Sequence, residues 1–320
     1  MRTHKVKLWT KTLVLSTAVV GAMMMSGCGK KEAEENVTLN IGFQKYGLLP
    51  ILKERGTLET ALKSQGVNIK WVEFPAGPQL LEGLNVGNVS FGEVGEAPPI
   101  FAQAAQTDLV YIANQPAVPK AEALIVQKDS AIHSIQDLKG KRVALNKGSN
   151  VHYLLLKLLE ANQLKFSDIN VVYLPPADAR AAFEKGAVDA WVIWDPFLSA
   201  AEHQLNARTI ANGENLVKNY QFYLADRKFA QENPKVLQAV VNELNLTTQW
   251  VSKNQDEAAK LLEGKTGLGL DVLKTSISRL GNQVTPITAQ VAQEQQQVAD
   301  AFYNEKLIPN KLNIESAIIK

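Results

Sequence analysis

From Leu138 to Pro196 the chain writes two strand, loop and helix units in succession, a pattern that a layered α/β fold buries best. In the first, residues 142–145 form a short apolar strand, Gly148 allows a tight turn, and Ser149 or Asn150 makes a good N-cap for the helical run 151–164. Such a loop turns unpaired backbone NH groups, and the positive end of a helix dipole, toward whatever lies above it. The second unit runs from a helix over 178–185, opened by Asp178, through Gly186 as its cap and into the strand 188–194. It ends at Trp194-Asp195-Pro196, placing an indole and a carboxylate at the end of a strand, where open α/β sheets bind ligands.

The same alternation starts earlier. Strands are expected over 39–43, 69–74, 89–93 and 109–113, separated by helices over 49–64, 79–86 and 98–106, and a second run begins near 123–126. Alternation of this kind argues for parallel sheets with helices on both faces. The two runs echo each other: Leu84, Gly87 and Val89 keep the spacing of Phe183, Gly186 and Val188, each a helix end, a glycine cap and a buried strand. Residues 114–123 and 219–225 look like crossings between two lobes. The first lobe would then take 37–117 and 221–320, including a helical tail from Asn233 with apolar residues at helical spacing, and the second lobe 118–220.

Arg2, Lys5, Lys7 and Lys11 precede an apolar stretch from Leu13 to Met25, too short for the roughly 20 residues that a membrane span requires and suited to a signal peptide over 1–27. Ser26-Gly27-Cys28 resembles the lipobox of bacterial lipoproteins, so Cys28 is expected to become a lipidated N-terminus and 28–36 a polar tether. Cys28 is the only cysteine, which excludes a disulfide framework, thiol catalysis elsewhere and cysteine metal sites. Without residues 1–27 the chain carries 30 basic against 32 acidic groups, a balance with no electrostatic footprint for nucleic acid.

Four blocks carry a family resemblance: Trp71-Val72-Glu73-Phe74-Pro75-Ala76-Gly77-Pro78-Gln79, Ala97-Pro98-Pro99-Ile100-Phe101, Pro176-Ala177-Asp178-Ala179-Arg180 and Trp194-Asp195-Pro196. With them the chain resembles the aliphatic sulfonate-binding proteins, receptors of bacterial ATP-driven importers, over essentially its whole length after Cys28. The resemblance implies a two-lobed, periplasmic-binding-protein-like α/β fold of type II, each lobe a mostly parallel sheet flanked by helices. It also implies an organosulfonate held between the lobes, delivery to an ABC permease and its ATPase subunit, and a monomer anchored to the membrane through its N-terminal lipid. No cofactor and no chemistry on the ligand are implied. Two segments depart from the family pattern: Val94-Gly95-Glu96, where threonine, glycine and aspartate are more usual, and Ser149-Asn150, where two serines are.

A sulfonate is a permanent monoanion that only accepts hydrogen bonds, so NH and OH donors suit it. Ser149 and Asn150 can supply them from one lobe, and Gln44, with Tyr46 and Gly47, from the other; Gly77 and Pro78 open a helix whose glycine permits close backbone approach. Trp194 is expected to line the cleft and Trp191 to lie in the core, while Asp178 joins the candidates through its block. Glu96 and Asp195 would repel a bare sulfonate. They either pair with lysines across a closed cleft or recognise an amine-bearing sulfonate such as taurine. The plainer readings are an ordinary N-cap, a surface loop, a helix start and a core indole. Ser149, His152 and Asp195 can be drawn as a triad, but no nucleophile-elbow sequence accompanies them, and the histidines show no metal-ligand spacing. Taurine, nitrate or a pyrimidine precursor are the alternative ligands. The rival from another class is an enzyme of the same fold resembling pyrimidine-precursor synthases, which needs a reactive lysine or a cofactor motif.

Overall fold

The computed structural model describes residues 37–319; the expected signal peptide, Cys28 and the tether lie outside the described residues. Among the described residues, ten strands build two five-stranded sheets. Strands β1 (Thr38–Phe43), β2 (Asn68–Glu73), β3 (Phe91–Gly95), β4 (Leu109–Asn114) and, much later, β10 (Gln221–Asp226) form the first sheet, in the order β2-β1-β3-β10-β4. The second contains β5 (Glu122–Val126), β6 (Arg142–Leu145), β7 (Asn170–Tyr173), β8 (Ala190–Trp194) and β9 (Arg208–Asn212), in the order β7-β6-β8-β5-β9. Each sheet with its helices is one lobe of a two-lobed α/β fold.

The sheets are mostly parallel, as expected, but each is mixed by one opposed strand. In the first lobe β10 runs antiparallel to both β3 and β4, and in the second β5 runs antiparallel to both β8 and β9. These are the two strands that follow a crossing. A chain arriving from the other lobe enters at the cleft edge of the sheet, where the other strands end, and must run away from it. The helix expected over 49–64 is also interrupted, because Gly56 at φ 63° separates Leu49–Arg55 from Thr57–Leu62. The glycine echo has a structural counterpart: Gly87 and Gly186 both adopt left-handed φ, at 77° and 66°.

The helical tail packs as its periodicity suggests. Helix Pro234–Lys253 buries Val236, Val240, Leu244 and Val251 in one apolar cluster with Leu39 and Ile41 of β1. Each such side chain contributes about 1.5–3 kcal/mol on burial. Another cluster reaches across both lobes, where Phe101 and Phe302 meet His152 at ring-centroid distances of 6.0 and 5.7 Å. The crossings lie side by side, with Val118 NH donating to the Lys218 carbonyl at 3.0 Å and Gln115 NH to that of Gln221 at 2.9 Å. Together they form a double connection between the lobes.

Candidate functional site

Strands β1, β3, β6 and β8 all end at the interlobe cleft, and the residues at and just past those ends, with the two crossings, surround a small chamber. From the first lobe come Gln44, Tyr46, Gly77, Glu93, Gly95 and Pro98; from the second Ser149, Asn150 and Trp194; from the crossings and the start of β10 Ala121, Asn219 and Gln221. The centre of a water-sized sphere can occupy about 30 Å³ of it, roughly the room of two waters. Among the described residues, no lysine or arginine lines it.

Two helices start at this chamber. Helix Asn150–Ala161 has Ser149 as its N-cap in extended conformation, but the serine hydroxyl donates to the Asn146 carbonyl at 2.7 Å instead of accepting from the helix. Helix Gly77–Asn85 begins after Ala76, which has no capping side chain. Both therefore present their first NH groups, and the positive ends of their dipoles, without a side-chain cap. Asn150 does more than line the wall: its Oδ1 accepts from Ala97 NH of the first lobe at 3.2 Å and its Nδ2 donates to Asn219 Oδ1. Gln44 Nε2 donates to the Glu93 carbonyl at 3.1 Å and keeps a second proton.

Gln44, Tyr46 and Trp194 also line a second, outer chamber of about 370 Å³. Its other walls are mostly apolar: Phe74, Pro75, Pro175, Pro176, Ala177, Pro196 and Phe197, with Lys45 and Glu73 at the side. Lys45 is engaged, donating to the Thr266 carbonyl at 3.0 Å. A narrow donor-lined pocket thus adjoins, across Gln44, Tyr46 and Trp194, a wider, greasier one, which suits an anion with an organic tail.

Six residues expected from the sequence, Gln44, Tyr46, Gly77, Ser149, Asn150 and Trp194, share this inner chamber. Others are placed elsewhere. Gly47 passes over the Glu93 carboxyl, where a Cβ would collide with it. Pro78 lines a separate depression with Leu81 and Phe101. Asp178 is exposed on helix Pro176–Glu184. Glu96 is buried at the crossings, its Oε2 accepting from Tyr220 NH at 3.1 Å. Asp195 is fully buried beside an arginine rather than a lysine: Arg279 of the first lobe reaches it at 3.3 Å and Glu202 at 2.9 Å. Ser199 donates to the same carboxylate from its NH at 3.0 Å and its hydroxyl at 2.5 Å. No triad is assembled, since His152 Nδ1 accepts from Gly148 NH and Asp195 is committed to Arg279 and Ser199. Trp191 is core, 0% exposed.

Sequence reasoning missed Glu93, Gly95, Asn219 and Arg279. Glu93 alone left a signal, as an acidic residue inside a strand that is otherwise apolar or glycine. Burial pushes its carboxyl up to about 8 and that of Glu96 to about 7, in each case against hydrogen bonds from backbone NH groups. Glu122, also buried at the crossing, is raised well above the usual range by burial and by the nearby Glu96.

The family model described as "NMT1/THI5 like" matches residues 62–258. The chain belongs to that family. A curated relative from Escherichia coli (strain K12), named for aliphatic sulfonate binding, is 41% identical over 307 residues, spanning 95% of this chain and 96% of its own. This places the chain among the aliphatic sulfonate-binding branch of the family. Two solved structures share the fold along the same length. The alkanesulfonate-binding protein SsuA from Xanthomonas axonopodis pv. citri bound to MOPS has a TM-score of 0.85 at 41% identity, covering 88% of this chain and 98% of that one. The periplasmic aliphatic sulphonate binding protein SsuA from Escherichia coli has a TM-score of 0.81 at 42% identity, covering 88% and 92%.

Proposed function

We propose that this chain captures aliphatic sulfonates in the interlobe cleft and delivers them, unreacted, to the permease of an ATP-driven importer that supplies sulfur. The observation that carries the reading is the joined pair of chambers: uncapped helix starts and amide donors around a headgroup-sized space, leading past Tyr46 and Trp194 into an apolar one. A helix terminus alone holds an anion by only about 0.3–2 kcal/mol, whereas micromolar affinity needs about 8 kcal/mol. Donors from both lobes must act together, and closure that excludes water strengthens each of them. The ligand thereby shifts the population toward the closed form, which is what a permease can recognise. Nitrate and sulfate would leave the outer chamber unused.

The relatives named for sulfonate binding support this reading, and the one bound to MOPS, a propanesulfonate with a morpholine ring, fits a receptor with room beyond the headgroup. Calorimetric titration with propane-, butane- and pentanesulfonate, taurine, nitrate and sulfate tests it. Micromolar or tighter binding of the alkanesulfonates is expected, with nitrate and sulfate at least tenfold weaker. A response to nitrate alone would overturn the substrate class.

Export and anchoring through a lipid on Cys28 belong to the same reading, supported by the lipobox-like Ser26-Gly27-Cys28. Cys28→Ala is expected to abolish incorporation of labelled palmitate and move the protein out of the membrane fraction. Persistence of both would sink the anchor.

A further inference from the structure

His152 is fully buried on the first turn of helix Asn150–Ala161, close behind Ser149 and Asn150, which line the inner chamber. Its Nδ1 accepts from Gly148 NH at 3.3 Å, so the proton of the neutral ring belongs on Nε2. Nε2 is itself buried and has no partner among the described residues. Burial and the Lys147 charge push the imidazole down to about 4, which keeps Nδ1 an acceptor at neutral pH.

The bond to Gly148 belongs to a turn closed on itself. Gly148 is buried at φ 74°, a left-handed conformation in which its NH points back toward the helix. Ser149 donates to the Asn146 carbonyl through its NH at 3.3 Å and its hydroxyl at 2.7 Å, and His152 NH donates to the Ser149 carbonyl at 2.9 Å. These bonds use up the donors of Gly148 and Ser149. The NH groups of Asn150 and Val151, which open the helix, have no acceptor within it and are the ones left for an anion.

The imidazole is clamped from both lobes. Phe101 lies nearly parallel to it at 6.0 Å and Phe302 packs at 5.7 Å, both from the first lobe, while Phe166 and Tyr173 of the second cross it steeply at 5.5 and 5.6 Å. Phe101 also backs the turn, its ring 3.4 Å from where a Cβ on Gly148 would stand. A ring so packed cannot swing away from Gly148 without emptying part of a close-packed core.

We propose that His152 is a positioning residue for the sulfonate headgroup: its Nδ1 holds the Gly148 turn in the one arrangement that aims the first helix NH groups at the chamber. This deepens the sulfonate reading above and rests on it. Take the acceptor away and Gly148 NH is orphaned in buried surroundings. The turn relieves that by rotating the peptide before Gly148, which carries Ser149 and Asn150 out of place.

A histidine that only filled space would be replaced well by leucine, and two variants separate the roles. His152→Leu keeps much of the volume and loses the acceptor. His152→Asn sets an amide oxygen near the place of Nδ1 and leaves part of the aromatic box empty. In calorimetric titrations with propanesulfonate, Kd should rise about 20-fold in His152→Leu and stay within about fivefold of wild type in His152→Asn. The order of melting temperatures should be the reverse, with the asparagine variant the less stable. Proton–nitrogen correlation spectra of the wild type should show the Nε2-protonated tautomer, with and without propanesulfonate. Leucine binding within threefold of wild type, asparagine binding no better than leucine, or an Nδ1-protonated ring would overturn the inference, while wild-type affinity for propanesulfonate leaves the sulfonate reading intact. The tautomer is read on the wild type and decides even where a variant does not fold. A wild type that binds no sulfonate would overturn that reading, and this one with it.

Discussion

Gly95→Ala should lower sulfonate affinity roughly 100-fold while leaving the fold unharmed. Gly95 closes β3 at the cleft with ordinary strand φ, so alanine meets no backbone penalty. What its methyl meets is the amide of Asn150, arriving from the opposite lobe, and the overlap covers the whole amide group. Asn150 could turn aside only by abandoning the Ala97 NH and Asn219 Oδ1, both of which lie in buried surroundings. Leaving buried partners unmet costs about 1–3 kcal/mol each, so the closed arrangement loses about 3 kcal/mol in all. An open arrangement loses nothing, because the clash exists only when the lobes meet. Calorimetry and a melting curve check the two halves of this expectation: affinity should collapse, with the melting temperature of the ligand-free protein little changed. Binding within threefold of wild type would show that Asn150 does not hold the lobes together.

Arg279→Ala should act on the same equilibrium from the other side of the cleft. Asp195 has no exposure where the lobes meet, and burial is the largest influence on its carboxyl, pushing it up while Arg279 and Ser199 pull it down. Removing one partner of a buried ion pair costs about 3–5 kcal/mol, and the two Ser199 bonds keep this case near the lower end. Opening the lobes rehydrates Asp195, so the cost falls on closure, and affinity should drop about 100-fold at neutral pH. Without Arg279 the folded-state carboxyl is raised further above its unfolded value. The closed form then binds protons more readily, and its deficit shrinks as pH falls through that raised value. Adding Asp195→Asn to Arg279→Ala removes the orphaned charge and should recover at least tenfold. If the double variant binds no better than the single one, the arginine serves some purpose other than neutralising Asp195.

The two variants also show where reading the chain by residue alone stops. Ser149, Asn150, Gln44 and Trp194 were legible because each follows a strand whose apolar run is visible locally, and an α/β sheet exposes the residues at its strand ends. The glycine caps at 87 and 186 were legible for the same reason, since a left-handed cap is a matter of a few neighbouring residues. Strand direction was not. The near-continuous buried runs of β5 and β10 read the same whether a strand runs up or down, so the mixed sheets emerged only with the crossings. Asp195 was placed at the right strand end, but its partner stands 84 residues further on, at the end of helix Leu270–Ser278. Nothing near Arg279 marks it as reaching across a cleft.

The sequence by itself determined the class of fold, the order of strands and helices along the chain, and the segments from which a site could be made. These depend on periodicity, capping and turn chemistry, which act over a few residues. Tertiary structure decided which of those segments meet, that Asn150 pegs the lobes as well as lining the chamber, that Asp195 is neutralised from afar, and that Glu93 lies buried beneath the loop after β1. These depend on contacts between residues tens to hundreds of positions apart, and on the desolvation that only a closed interior imposes on a carboxyl group.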